Sequence, residues 1–133
     1  MITLKHEVVP IRNQNDVVLV RQKVRLFAVE LGFSLLEQTK VITAASELAR
    51  NTLDYGLGGD AIVEAVRSER PGLRMIFVDQ GPGIANVALA LTDGYTSGGG
   101  LGMGLSGAKR LVTDFEIETE VGKGTRVTAI KWK

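Results

Sequence analysis

Three short segments carry residue types and spacings that suit nucleotide chemistry. Glu47 and Asn51 stand four residues apart in a predicted helix, so their side chains share one face. Asp79 ends a predicted strand and starts the loop Asp79-Gln80-Gly81-Pro82-Gly83, and the run Gly-Leu-Gly-Met-Gly-Leu at 100–105 opens a second helix. In this order, the three segments predict a site that cradles phosphate with backbone amides, and ATP is the leading ligand.

The helix segment offers two oxygen-bearing side chains with different chemistry. Asn51 can present its carbonyl oxygen to Mg²⁺, a hard cation that prefers oxygen ligands and keeps several waters. Glu47 can accept a proton from an attacking hydroxyl group or water. The alternative is a solvated polar face with local ion pairs, since Arg50 and Asp54 fall on the same stripe.

The strand-end carboxylate is a candidate for base recognition. Asp79 follows the apolar strand Met75-Ile76-Phe77-Val78, and a buried carboxylate there needs a partner such as the exocyclic amine of adenine. Gly81 and Gly83 beside it allow a flat base to approach the backbone. Thr125, after the turn Gly122-Lys123-Gly124, is predicted to point toward the same base end. A simple turn at each position is the alternative.

Six glycines in the ten residues 98–107 are too many for an ordinary helix, so the glycines are expected to serve the backbone. A helix N-terminus presents free amides to phosphate, whereas the alternative is a flexible loop without ligand. The residues predicted to contact nucleotide here are Gly100, Leu101, Gly102, Met103, Gly104 and Leu105. The G-x-G-x-x-G match at 102–107 lacks the preceding strand of a dinucleotide fold, and Ile117 stands where a P-loop needs glycine.

Composition narrows the class of protein. The chain has 133 residues, which fits a single domain, and no cysteine, which excludes thiol nucleophiles and Cys-based zinc sites. Its 16 basic and 15 acidic residues argue against a nucleic-acid binder. No apolar stretch approaches the roughly 20 residues that span a bilayer, and no secretory leader is evident. We therefore expect a cytoplasmic protein with neither a membrane nor a nucleic-acid partner.

Hydrophobic periodicity and turn residues predict a two-layer α/β sandwich, with helices on one face of a mixed, mostly antiparallel sheet. The predicted strands are Thr3–Val9 (closed by Pro10), Ala61–Arg67, Leu73–Asp79, Phe115–Val121 and Thr125–Trp132. The predicted helices begin at Asp16 (stopped by Gly32) and at the capping box of Ser34 (running to about Asp54), and cover about 84–91 and about 103–112. Residues 92–100 are predicted to form a mobile loop that orders on nucleotide binding.

These motifs resemble the N, G1, G2 and G3 boxes of the GHKL ATPase and kinase superfamily. The boxes are Glu47-x-x-x-Asn51, Asp79-x-Gly81-x-Gly83, Gly100-x-Gly102-x-Gly104 and Gly122-x-Gly124-Thr125. The resemblance extends over most of the chain from Ser34 onward. The short chain is similar to the anti-sigma-factor serine kinases of bacteria, and most of all to the RsbT-type switch kinases of stressosome modules.

The resemblance implies a Bergerat ATP-binding fold that uses Mg²⁺ and ATP to phosphorylate a serine or threonine of a STAS-domain protein, then activates a partner phosphatase. It implies Asn51 at Mg²⁺, Glu47 as base and Asp79 at adenine. The predicted lid 92–105 has no Arg or Lys to meet the γ-phosphate, so Mg²⁺, Lys109 or Arg50 would have to, or transfer would be slow.

Two other functions stay open at this stage. The chain could be a binding module, an anti-sigma factor that holds a sigma subunit in a nucleotide-dependent way. It could also be an ATPase domain of a larger machine, although the ends at Met1 and Lys133 lead us to expect a complete small protein. The resemblance does not assign a role to Tyr55.

Overall fold

The computed structural model describes residues 1–92 and 104–133. In chain order, the described elements are β1 (Ile2–Ile11), α1 (Gln14–Glu30), α2 (Leu35–Asp54), β2 (Gly59–Arg67), β3 (Pro71–Asp79), α3 (Val87–Ala90), α4 (Gly104–Arg110), β4 (Asp114–Glu120) and β5 (Gly124–Trp132). These elements form the predicted α/β sandwich.

The five strands form one sheet in the order β1-β2-β3-β5-β4. Every pairing among the described strands is antiparallel, so the sheet is not mixed. The predicted hairpins β2–β3 and β4–β5 are both present. Because β5 lies between β3 and β4, the C-terminal hairpin brings its turn beside the end of β3, where Asp79 pairs with Thr125.

The first strand is longer than predicted. Pro10 does not close it but pairs with Asp60, and the strand continues to Ile11. The reason is position, since β1 is an edge strand and proline is tolerated where one side of the strand needs no ladder bond.

Side-chain caps set the starts of the long helices. Asn13 accepts a hydrogen bond from the Asp16 backbone N–H, so α1 begins at Gln14, earlier than predicted. The predicted capping box of α2 is present: Ser34 Oγ accepts from Glu37 N–H at 3.1 Å, and Glu37 accepts from Ser34 N–H at 2.9 Å. It fixes the register of the helix that carries Glu47 and Asn51.

The hydrophobic core lies between one face of the sheet and helices α1 and α2. Alternate residues of the strands point into it, as a half-covered sheet requires. Its fully or nearly buried members include Ile11, Val20, Val24, Phe27, Val41, Leu48, Ala61, Val63, Leu73, Met75, Phe77 and Ala129. This packing seats α2 against β3, so the C-terminal half of α2 faces the strand end that carries Asp79.

Two short helices differ from prediction. α3 is a single turn at Val87–Ala90 rather than 84–91, because Ile84 donates its backbone N–H to Thr119 on β4 instead of joining a helix. α4 ends at Arg110, and Thr113 N–H already bonds to Ile130 of β5. Most of the predicted mobile loop, as well as Met103, lies outside the described residues.

Candidate nucleotide-binding site

A cavity of about 420 Å³ opens between α2, the end of β3 and the loop that follows β3. Its size suits a small-molecule ligand. The walls are mostly apolar, with a few polar side chains that converge on them. The polar lining consists of Asn51, Thr52, Tyr55, Asp79, Asn86 and Thr125, and the apolar lining includes Leu48, Phe77, Ile84, Leu89, Leu105 and Val127.

Asp79 is half-buried at the C-terminal end of β3 and lines the cavity. Its Oδ1 accepts the backbone N–H of Gly81 at 2.9 Å, which ties the carboxylate to the first turn of the loop. This bond leaves Oδ2 without a hydrogen bond among the described residues. The arrangement provides a fixed acceptor facing the cavity.

Two glycines allow the backbone to close around this carboxylate. A Cβ atom at Gly56 would collide with the Asp79 side chain, so only glycine fits at this position in the connection between α2 and β2. Gly83 has φ +76° and lies against the Glu120 carbonyl, a conformation and a contact that both exclude a side chain. The approach of a base to this backbone, as predicted for Gly81 and Gly83, stays a prediction.

Helix α2 presents one face to the cavity. Asn51, Thr52 and Tyr55 line it together, because positions three and four apart share a helix face. Thr52 Oγ1 donates to the Leu48 carbonyl at 2.9 Å, so this hydroxyl proton is already used inside the helix. The Asn51 side chain is thus the amide on this wall that can offer an oxygen to a metal.

Glu47 is 6% exposed, and among the described residues it is not one that lines the cavity. Its Oε1 accepts from Arg50 Nη1 at 3.0 Å, while Arg50 Nη2 donates to Ser46 Oγ at 3.0 Å. One guanidinium therefore holds both the candidate base and its neighbour. This is the local ion pair that the sequence left open as the alternative for this stripe.

The start of α4 contributes Gly104 and Leu105 to the cavity wall. The other residues predicted to contact phosphate, namely Gly100, Leu101, Gly102 and Met103, lie outside the described residues. Lys109 is exposed on α4, and within residues 1–92 and 104–133 no Lys or Arg lines the cavity. Among the described residues, the cavity wall thus brings Asp79 and Thr125 together with the last two residues of the predicted phosphate run, and their roles toward a nucleotide stay predictions.

The structure adds a residue beside Thr125 that the sequence did not indicate, Thr119 on β4. Thr125 lines the cavity, and its hydroxyl oxygen lies 2.9 Å from that of Thr119 on β4. Thr119 Oγ1 also accepts the Ile84 N–H at 2.9 Å. No motif marks Thr119, because its contacts depend on strand pairing and on a loop far away in the sequence.

The donor set fits magnesium that arrives with a nucleotide better than a metal held by protein alone. Within the described residues, no group of three or more His, Asp or Glu side chains is placed to hold a metal ion. Mg²⁺ commonly uses one or two protein oxygens together with substrate phosphates and water. Asn51, whose side-chain oxygen is on the cavity wall, is compatible with that pattern, and its role at Mg²⁺ stays a prediction.

A separate charged cluster lies on the sheet face opposite the helices. His6 Nδ1 and Glu64 Oε2 are 2.8 Å apart, and Arg74 Nε donates to Glu64 Oε1 at 2.6 Å. Burial raises the pKa of Glu64, but the hydrogen bonds with His6 and Arg74 outweigh it and leave the pKa below the ordinary value. His6 therefore has a side-chain partner on this face, away from the cavity.

Comparison with known proteins defines the class. Residues 37–133 match the family described as histidine kinase-, DNA gyrase B- and HSP90-like ATPase, and the chain belongs to this family. The resemblance to GHKL ATPases seen in the motifs is confirmed.

Within that class, the chain is 43% identical over 125 residues to the serine/threonine-protein kinase RsbT of Bacillus subtilis, covering 93% of this chain and 94% of the relative. It is 31% identical over 121 residues to an anti-sigma F factor of Clostridium kluyveri, covering 87% and 84%. These relatives confirm the predicted enzyme class, a serine/threonine kinase related to anti-sigma factors.

The fold is also found in a solved structure. The crystal structure of the RsbU and RsbW domains of a Mycobacterium tuberculosis protein superposes with a TM-score of 0.66 at 20% identity, covering 96% of this chain and 31% of that one. At this identity the likeness concerns the fold alone. No helix in residues 1–92 and 104–133 is long and apolar enough to cross a membrane.

Proposed function

We propose that this protein transfers the γ-phosphoryl group of ATP to a serine or threonine of a STAS-domain antagonist, and thereby switches partners in a bacterial stress or sigma-factor module. The observation that carries the proposal is that Asn51, Asp79 and Thr125, from three separate motifs, line one cavity. The similarity to the kinase RsbT along nearly the whole chain supports the reaction type.

The base end of the site would select the nucleotide. Asp79, fixed by the Gly81 N–H, would accept a hydrogen bond from the adenine amine, and Phe77 and Ile84 would supply apolar contact. The residues predicted to surround the phosphates are those of the run 100–105. Mg²⁺, bound through Asn51, would neutralise phosphate charge and align the transferred group.

The chemical step needs one proton acceptor. The Oγ–P bond to the acceptor residue forms as the bond between the γ-phosphorus and the β–γ bridging oxygen breaks, and the Oγ proton passes to Glu47. For this, the Glu47 carboxylate must reach the acceptor hydroxyl, and in the described structure it is bonded to Arg50. We propose that Arg50 holds the carboxylate ready rather than meeting the γ-phosphate itself.

The test is transfer of label from γ-labelled ATP with Mg²⁺, using purified protein and an extract of the source cells. Wild-type protein is compared with Glu47→Ala and with Glu118→Ala, which removes an exposed carboxylate of β4 as a matched control. We expect a labelled protein of STAS-domain size with wild type and the control, and a loss of about 10²- to 10⁴-fold with Glu47→Ala. Equal labelling by Glu47→Ala would remove Glu47 as the base.

A second candidate is a nucleotide-gated anti-sigma factor, favoured by the similarity to anti-sigma F factors. It predicts no label transfer despite ATP binding, together with a stable sigma complex whose affinity changes between ATP and ADP. Activation of a partner phosphatase by the free protein would instead favour the switch kinase. Each outcome can be read from one set of purified components.

A further inference from the structure

The hydroxyl group of Thr119 lies behind the base end of the cavity and contacts three groups of it. Its oxygen accepts the Ile84 N–H at 2.9 Å, its hydroxyl is within donating distance of the Gly124 carbonyl oxygen at 3.1 Å, and Thr125 Oγ1 lies 2.9 Å away. Ile84 and Thr125 line the cavity, whereas Thr119 does not. Thr119 thus touches the walls of the site without facing a ligand.

The bond to Ile84 joins two parts of the chain that no other side-chain hydrogen bond among the described residues connects. The loop after β3 is otherwise held to the β4–β5 turn by a backbone bond from Gly122 N–H to the Pro82 carbonyl, at 2.8 Å. These two bonds set where Ile84 stands in the cavity wall. Without the Thr119 hydroxyl, the Ile84 N–H would lose its acceptor.

The single hydroxyl hydrogen of Thr119 limits which neighbouring oxygen it can bond. A threonine hydroxyl carries one hydrogen, so Thr119 can donate either to the Gly124 carbonyl or to Thr125, but not to both. If it donates to Gly124, Thr125 must spend its own proton on Thr119 and can only accept in the cavity. Donation to Thr125 would instead leave the oxygens of Thr119 and Gly124 3.1 Å apart with no hydrogen between them, so donation to Gly124 is the arrangement that satisfies both contacts.

We propose that Thr119 is a positioning residue that anchors the loop at Ile84 and, by accepting the Thr125 hydroxyl proton, leaves Thr125 only an acceptor at the base end. The second half rests on the proposed function, in which the base is adenine. Asp79 and Thr125, both as acceptors, suit the two N–H groups of the adenine amine. Hypoxanthine has a carbonyl oxygen in place of that amine and offers no hydrogen there, whereas loss of the Thr119 hydroxyl would free the Thr125 proton for such a carbonyl.

The experiment uses the whole chain and two measurements. Exchange of the Ile84 amide is followed by NMR without nucleotide, and affinities for ATP and ITP are measured by calorimetry. The variants are Thr119→Val, which keeps the shape and removes the hydroxyl, and Thr119→Ser, which keeps the hydroxyl. Thr128→Val, on the opposite sheet face of the same hairpin, is the control, and Thr119→Ala serves if the valine variant does not fold.

We expect Thr119→Val to speed Ile84 exchange and to weaken ATP binding, each by about 3- to 10-fold, and to reduce the preference for ATP over ITP. Thr119→Ser should behave like wild type, as should Thr128→Val. Unchanged Ile84 exchange and unchanged ATP affinity in Thr119→Val would overturn the proposal. Equal weakening of ATP and ITP would overturn the assignment of the Thr125 proton.

Failure of the proposed function can be distinguished from failure of the Thr119 proposal. Wild-type protein that binds neither nucleotide would contradict ATP as ligand, and with it the role of Thr125 toward adenine. Ile84 exchange in the nucleotide-free variants would then decide by itself whether Thr119 anchors the loop.

Discussion

The two ends of the candidate site are held by different kinds of contact. At the base end, Asp79 pairs with Thr125 across the sheet, and the Thr119 hydroxyl links Ile84 with Thr125. At the carboxylate end, Ser46, Glu47 and Arg50 lie within one turn of α2 and hold one another. The first arrangement exists only in the folded protein, whereas the second needs little more than the helix.

This difference predicts that the two ends of the site affect different steps, nucleotide binding at one end and phosphoryl transfer at the other. Groups fixed across the fold are already in place before a ligand arrives, which lowers the ordering cost of binding. A carboxylate held by a neighbouring side chain on its own helix can change partner without disturbing the core. We therefore expect substitutions at the base end to change nucleotide affinity, and substitutions near Glu47 to change the rate of phosphoryl transfer.

The largest effect on ATP affinity is expected for Asp79→Asn. If the asparagine carbonyl keeps the bond from Gly81 N–H, its amide group faces the adenine amine, and two donors then oppose each other. We expect ATP affinity to fall by about 10- to 100-fold, as for loss of a charge-assisted hydrogen bond. Calorimetric titration with ATP measures it, and Asp60→Asn, at an exposed position of β2, is the control. Unchanged affinity would contradict the adenine assignment.

A smaller effect is expected at the other end, for Arg50→Gln. The 6%-exposed Glu47 carboxylate would lose its ion-pair partner and its fixed orientation. We expect kcat for phosphoryl transfer to fall by about tenfold, with ATP affinity changed by less than about twofold. Steady-state kinetics and calorimetry measure the two quantities separately. Arg67→Gln, at the exposed end of β2, is the control.

An effect of Arg50→Gln on ATP binding would contradict the division between the two ends of the site. If Arg50→Gln weakened ATP binding as strongly as transfer, Arg50 would belong to the nucleotide pocket and could meet the γ-phosphate, as the sequence left open. Arg50→Lys sharpens the test, because lysine keeps the charge but cannot reproduce the paired geometry. Full activity in that variant would mean that charge alone is required.

The sequence predicted features that depend on neighbouring residues and missed features that depend on contacts between distant parts of the chain. Local signals placed Ser34 at the start of α2 and Asp79 at a strand end, because capping and hydrophobic periodicity act over a few residues. Pro10 was misread as a strand end, since an edge position is a property of the whole sheet. Thr119 was missed because its bond to Ile84 spans 35 positions of the chain. Roles proposed for Gly100 to Met103 stay predictions.

The smallest effect is expected away from the cavity, at Glu64 on the open sheet face. Its pKa in the folded protein lies below the ordinary value of 4.5, so the ionised form stabilises the fold above that pH. The stabilisation is lost as pH falls through the folded pKa. Glu64→Gln removes the titrating group, leaves Arg74 with a neutral acceptor, and should lower the free energy of unfolding at pH 7 by about 1 kcal/mol.

Urea unfolding between pH 7 and pH 3 measures this contribution. Wild type should lose stability through the acid range more steeply than Glu64→Gln, so that the two curves converge at low pH. Glu116→Gln, at an exposed position on the same sheet face, is the control and should run parallel to wild type. Parallel curves for Glu64→Gln and wild type would contradict the lowered pKa. ATP affinity should be unchanged in both variants, because the open face contributes stability to the sheet without touching either end of the site.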